Sequence, residues 1–260
     1  MTSQKEIIVI PNAAEMALRA AGIFKSNAIE QCKTTGLFTA AFSGGSTPVA
    51  MHRNLASEPF RKSIPWERTH IFWVDERCVP YTNSASNYGA AKKDFLSNVP
   101  IPPGNVHPMP WNMASGENAS QEMAMAYERE ISRFFHLDLE EFPVFDLIFL
   151  GIGTDGHTAS LFPEDGALEE QERQIVQVKG GNPDLYRLTM TFSVLNRARN
   201  IVFLVSGKEK APMVKALLED TETKLPAGMV KPVNGRLLWL LDREAGSLLS
   251  SGKIWFDHEL

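Results

Sequence analysis

Leu147-Ile148-Phe149-Leu150 is an unbroken apolar run, set between Asp146 and the glycine-rich stretch that begins at Gly151. A strand with one wet face alternates apolar and polar residues. A continuous apolar run reads instead as a strand buried on both faces, the condition of strands inside a parallel sheet. Residues 6–10, 37–42, 69–74, 201–205 and 237–241 also read as strands, and helical segments separate them. The first helix, 13–33, is announced by Pro11, an Asn12 N-cap and a Glu15 at the third helical position. Others are expected over 49–56, 83–96, 117–136, a segment ending near 218, and 242–249. In 117–136, Met123, Ala126, Tyr127, Ile131 and Phe134 recur at helical spacing. Shorter strands fall at 174–178 and 188–192, and 100–110, with five prolines, reads as an irregular surface loop. Alternation of this kind predicts a doubly wound, mainly parallel α/β sheet with helices on both faces. A single domain over 1–250 and a tail over 251–260 are expected.

In such a sheet the loops at the carboxyl ends of the strands share one edge, where ligands bind. Four of these loops carry unusual residues. After the second strand comes Ser43-Gly44-Gly45-Ser46-Thr47-Pro48, whose backbone N–H groups can face an anion at a helix N-terminus. After the third comes Asp75-Glu76-Arg77, which reads either as a surface charge cluster or as proton-handling carboxylates beside a cation. After the 147–150 run, three glycines, Asp155, His157 and Thr158 crowd together. Gly151-x-Gly153-x-x-Gly156 matches the dinucleotide fingerprint, but Pro163 follows too soon for the long helix that motif opens. After residue 205 comes Ser206-Gly207-Lys208-Glu209-Lys210, with capping-box spacing between Ser206 and Glu209 and with lysines placed against the helix dipole.

Composition bounds the partners. With 43% hydrophobic residues the 260-residue chain can bury a sizeable core, and its net charge of −5 argues against nucleic acid as the main partner. Two cysteines, Cys32 and Cys78, are too few for a disulfide framework or a Cys-based metal site. No membrane-length apolar run is seen, so no membrane partner is expected, and a cytoplasmic setting follows. The final Asp257-His258-Glu259-Leu260 is taken as a coincidental likeness to a retention signal. His157 has no histidine at metal-ligand spacing, so neither metal nor cofactor is expected.

Together the motifs resemble 6-phosphogluconolactonase: Ser-Gly-Gly-Ser-Thr-Pro at 43–48, Trp-Val-Asp-Glu-Arg from 73 with Val79-Pro80, Ser-Asn-Tyr at 86–88, Gly-x-Gly-x-Asp-Gly-His-Thr-Ala-Ser-Leu-Phe-Pro at 151–163, Arg-Leu-Thr at 187–189 and Gly-x-x-Lys at 207–210. The resemblance spans roughly residues 8–250. Glucosamine-6-phosphate deaminases share that fold and several of the loops, but their pattern has Tyr where this chain has Arg77, and Glu where it has Phe162. A phenyl ring transfers no proton, so the lactonase pattern fits better. The third alternative, a sugar-phosphate sensor domain without turnover, lacks the DNA-binding segment it would be joined to. One departure from the lactonase pattern is Lys179-Gly180-Gly181-Asn182-Pro183-Asp184, which predicts a longer or differently shaped loop over the pocket.

The resemblance implies a sugar-phosphate lactone as substrate. Phosphate anchoring is expected from Ser43, Gly44, Gly45, Thr47, Arg187 and Lys210, with Lys210 rather than Lys208 matched by the pattern. His157, whose ordinary pKa of about 6.5 suits proton abstraction, is the expected base, with Asp75 or Asp155 orienting it. Arg77 either steadies the oxyanion or holds substrate hydroxyls. Ser160 lies outside a nucleophile elbow, so no serine triad is expected. A monomer or small homo-oligomer would suffice.

Overall fold

The computed structural model describes residues 5–112, 116–220, 223–250 and, for the backbone alone, 255–256. In chain order the elements are β1 (Lys5–Ile10), α1 (Ala13–Thr34), β2 (Phe38–Phe42), α2 (Ser46–Leu55), α3 (Phe60–Ser63), β3 (Thr69–Trp73), β4 (Asp75–Arg77), α4 (Asn87–Asp94), β5 (Val106–His107) and α5 (Glu117–Phe135). They continue with β6 (Leu147–Leu150), β7 (Ile175–Gly180), β8 (Leu185–Met190), α6 (Phe192–Leu195), β9 (Asn200–Val205), α7 (Ala211–Glu219), α8 (Pro226–Met229), β10 (Arg236–Asp242) and β11 (Trp255–Phe256).

Eight strands form the main sheet in the order β11-β1-β10-β9-β6-β2-β3-β5, with every pairing parallel. The expected mainly parallel, doubly wound sheet is therefore what the chain builds. All four residues of β6 are buried, the burial that its unbroken apolar run demands, and so are all five of β2. Side-chain alternation separates the two helical layers. Phe42 and Trp73 are register partners and share a face, and Phe42 stacks against Phe24 of α1 with ring centroids 5.8 Å apart. Phe72, one residue out of phase, meets Phe134 of α5 at 5.2 Å on the opposite face. Each such phenyl ring contributes about 1.5–3 kcal/mol by leaving water, as do the large aliphatic side chains buried around it.

The start of α1 follows its sequence signal: the Asn12 side chain accepts from the Glu15 N–H at 2.9 Å and donates to Glu15 Oε1 at 2.7 Å. Asp146, buried at the entry to β6, accepts from the N–H and hydroxyl of Thr39, both at 2.9 Å, and ties β2 to β6.

Several expectations need correction. Residues 75–77 are not a loop but β4, the first strand of a separate antiparallel sheet ordered β4-β8-β7. Val74 is the step between sheets: its N–H donates to Phe42 O in the main sheet, and its carbonyl accepts from Met190 N in the second. The helix expected over 49–56 begins earlier, at Ser46, because Gly45 is its N-cap. That expected over 83–96 shrinks to α4, where the Ser86 hydroxyl caps Gly89 N–H at 3.0 Å. The proline-rich 100–110 contains β5, which extends the sheet beyond β3. Residues 243–248 form turns rather than a helix, and the Asp242 carboxylate receives Ala245 N–H at 2.7 Å. Asp242 also takes the Ser206 hydroxyl and Gly207 N–H, so the capping box anticipated at Ser206 and Glu209 does not form. Within the expected tail, the backbone of Trp255–Phe256 adds a parallel edge strand to β1; positions 251–254 and 257–260 lie outside the described residues.

Candidate active site

From β2 the chain builds outward through β3 to β5, and from β6 it builds the other way through β9 and β10. The strand order thus reverses between β2 and β6, and the crevice at their carboxyl ends is where such a sheet leaves room for a ligand. A cavity of about 180 Å³ opens there. Of the expected site residues, Ser43, Gly44, Gly45, Asp75, Arg77, His157, Arg187 and Lys210 line it. Thr47, one residue into α2, and Asp155 are not in its wall.

The turn after β6 is shaped to present the imidazole. Gly153 N–H donates to His157 O at 2.8 Å, and the Thr158 hydroxyl donates to Gly151 O at 2.9 Å, so the loop folds back on its own strand. Asp155 Oδ1 accepts from the His157 N–H at 3.2 Å and stands 2.6 Å from Nδ1. A Cβ on Gly153 would fall 2.1 Å from Nδ1 and 2.3 Å from Asp155 Oδ1, so glycine is what lets the pair close over the backbone. Partial burial pushes the Asp155 carboxyl up, but the hydrogen bonds and positive charge of His157 outweigh it and hold it below the ordinary value. In a neutral ring, a proton on Nδ1 hydrogen-bonded to that carboxylate leaves the lone pair on Nε2.

Positive charge converges on the same space. Arg77 and Arg187 are direct register partners across β4 and β8, a like-charge pairing that destabilises a bare sheet. Burial lowers the Arg187 pKa, and Arg77 lowers it further against the pull of Asp75. Arg187 is only 4% exposed and donates through Nε to Gly180 O at 2.8 Å. Arg77 donates through Nη1 to Ala85 O at 2.7 Å, while its Nε is buried with no partner among the described residues. The buried Ser43 hydroxyl also has no partner. Lys210 Nζ, 3.0 Å from Ile152 O, supplies a third cation. Gly45, at φ 104°, opens α2 without a side-chain cap and leaves the first N–H groups of that helix uncovered beside the cations. Two buried polar atoms without a partner among the described residues, three cations and a helix N-terminus against the carboxylate of Asp75 give this wall a chemistry that suits an anion.

Of the two carboxylates left open beside the imidazole, Asp75 is held by other partners. It is 4% exposed, its Oδ2 accepts from the Ser160 hydroxyl at 2.7 Å, and its Oδ1 accepts from Asn87 Nδ2 at 3.3 Å. The imidazole's carboxylate partner is Asp155. Glu76 is likewise buried, not part of a surface cluster. It accepts from Arg77 N–H, Asn87 N–H, Tyr88 N–H and the Ser86 hydroxyl, and burial raises its carboxyl pKa despite these bonds. Asn87 lines the cavity and was not singled out as a functional residue. Its Oδ1 packs on Gly44 so closely that a Cβ there would lie 1.8 Å away, and only its place in the Ser-Asn-Tyr segment could have pointed to it.

The segment 179–184 is the end of β7 and the turn of a hairpin into β8. Gly180 pairs with Leu185, and the carbonyls of Gly180 and Pro183 turn back to hold Arg187. Among the described residues no group of three or more His, Cys, Asp or Glu is arranged to hold a metal ion, and no helix is long and apolar enough to cross a membrane.

Residues 11–239 match the family model for glucosamine-6-phosphate isomerases/6-phosphogluconolactonase. A 6-phosphogluconolactonase of Synechocystis sp. is 43% identical over 217 residues, covering 82% of this chain and 85% of its own. One of Nostoc sp. is 36% identical over 250 residues, covering 95% of this chain and 99% of its own. Among solved structures, 6-phosphogluconolactonase from Trypanosoma cruzi superposes with a TM-score of 0.85 at 28% identity, over 96% of this chain and 98% of its own. The match over residues 11–239 and the identity to these relatives place the chain in the glucosamine-6-phosphate isomerase/6-phosphogluconolactonase family.

Proposed function

We propose that this chain is a carboxylic ester hydrolase that opens 6-phospho-D-glucono-1,5-lactone to 6-phospho-D-gluconate, the lactone-hydrolysing step of the oxidative pentose phosphate pathway. The observation that carries the reading is the Asp155–His157 pair at 2.6 Å, set in the wall of a cavity that Arg77, Arg187 and Lys210 also line. The phosphate sits against the N-terminus of α2 at Gly44 and Gly45, held by Arg187 and Lys210, with Ser43 and Thr47 supplying hydroxyls. His157 Nε2 takes a proton from water as the water oxygen adds to the lactone carbonyl carbon. Asp155, accepting from Nδ1–H, stabilises the imidazolium that results. Arg77 faces the oxygen on which negative charge develops. When the carbonyl re-forms, the bond to the ring oxygen breaks and the imidazolium returns its proton to that oxygen, giving the hydroxyl of the open acid. No group on the enzyme is consumed, and neither a metal nor a cofactor is required.

Position 162 favours this reaction over amino-sugar deamination. Phe162 stands 4.9 Å from the His157 ring, so the imidazole has an aromatic neighbour where a second proton-transferring acid would be needed. Two unpaired cysteines suit a reducing compartment, and the cytoplasm is the proposed setting.

The test is lactone disappearance measured against its spontaneous hydrolysis, with ammonia release from glucosamine 6-phosphate measured in parallel. The proposal expects catalysed lactone loss that survives exhaustive chelation, no ammonia, and a fall in kcat of about two orders of magnitude or more for His157→Ala. Ammonia release, or a His157→Ala enzyme altered in KM alone, would overturn it.

A further inference from the structure

Phe162 is absent from the cavity wall, yet it touches two functional side chains at once. Its ring lies 4.9 Å from the His157 ring at an interplanar angle of 54°, and Arg187 Cζ stands 5.6 Å from its centroid. Behind it, the hairpin between β7 and β8 is close: a Cβ on Gly180 would meet Phe162 Cδ2 and Cε2 at 3.1 Å. Arg187 in turn is held by Gly180 O at 2.8 Å. The ring is thus wedged between the hairpin, the guanidinium and the imidazole.

We infer that Phe162 is a positioning residue, an aromatic wedge that sets the placement of His157 relative to Arg187, and this rests on the lactonase reading above. The bond from Nδ1 to Asp155 fixes one atom of the imidazole but leaves the ring free to swing about that contact. A ring packed against it removes the swing, and small losses of alignment cost a base much of its rate. The guanidinium needs a different kind of support. A carboxylate at 162 would pair with it and occupy the N–H donors that a phosphate must use. A phenyl face attracts the positive charge without taking any donor. One apolar side chain thereby fixes a base and an anion anchor while neutralising neither.

The test compares Phe162→Leu and Phe162→Tyr with the unaltered enzyme. Kinetics on the lactone, the His157 ring C–H signals in ¹H–¹³C spectra, and titration with inorganic phosphate are measured together. Loss of the ring is expected to lower kcat and raise KM, each by about tenfold, and Tyr, which keeps the ring, is expected to stay within about twofold of the unaltered enzyme. The His157 signals should move in Phe162→Leu and hold in Phe162→Tyr, and phosphate should bind Phe162→Leu about tenfold more weakly. Unchanged kcat and KM in Phe162→Leu overturn the inference. So does activity lost only in proportion to folded protein, with the His157 signals and phosphate affinity unmoved. Failure of the unaltered enzyme to outpace spontaneous hydrolysis would instead overturn the lactonase reading, while the spectra and the phosphate titration would still decide the role of Phe162.

Discussion

Gly153 carries no chemical group, yet the site depends on what it lacks. Its missing Cβ is the space in which Asp155 Oδ1 and His157 Nδ1 approach each other. Gly153→Ala should therefore push the pair apart and lower kcat by about a hundredfold, close to the loss from removing the imidazole, with the melting temperature nearly unchanged. Wild-type kcat in that variant would mean that the pair does not govern the chemistry. Asp155 makes a second prediction through pH. Its carboxyl is held below the ordinary value of 3.8, so its ionised form favours the folded state. That contribution is complete above the unfolded value and is lost as pH falls through the folded one. In urea unfolding, the stability gap between the unaltered chain and Asp155→Asn should be open above pH 3.8 and narrow below it. A gap that instead widened as pH fell below that value would contradict the assignment.

At the scale of elements, one phenol joins α5 to the main sheet. Tyr127, fully buried, accepts from Trp73 N–H at 3.1 Å and donates to His107 O at 3.0 Å, closing the ladder where β3 ends and β4 begins. Tyr127→Phe keeps the packing but leaves a buried donor and a buried acceptor unmet, which should cost about 2–4 kcal/mol in chemical unfolding. A cost below about 1 kcal/mol would mean that water replaces the hydroxyl. The core strands were legible because burial on both faces leaves an unbroken apolar signature, and α1 because Asn12 and Glu15 form the cap their spacing announces. The second sheet was not. Asp75-Glu76-Arg77 looks like a polar loop because its charges are satisfied by partners far along the chain, such as Ser160 and Asn87, which strand period does not reveal. The same cause hid Asn87. It also left Asp75 and Asp155 equivalent on paper, although only Asp155 meets the imidazole.

Across the whole molecule, the cavity draws Ser43 from the end of β2, Arg77 from β4, His157 from the loop after β6, Arg187 from β8 and Lys210 from the turn before α7. Two of these cations lower the stability of the fold a little, since Arg77 faces Arg187 in register and Arg77 Nε has no partner among the described residues. An anion bound there would offset that cost at once and link segments from both sheets. Because it binds only the folded chain, saturation at a hundredfold over its dissociation constant adds about 2.7 kcal/mol. For a chain of this size that corresponds to a rise in melting temperature of about 5–10 °C. Inorganic phosphate should produce such a rise, sodium chloride at equal ionic strength should not, and Lys210→Met should respond less than half as strongly. Arg77→Met removes the like-charge pair, so without phosphate it should melt no lower than the unaltered chain. If phosphate and chloride acted alike, or if Lys210→Met responded in full, the cations would not be gathered for a phosphate and the anchor would lie elsewhere.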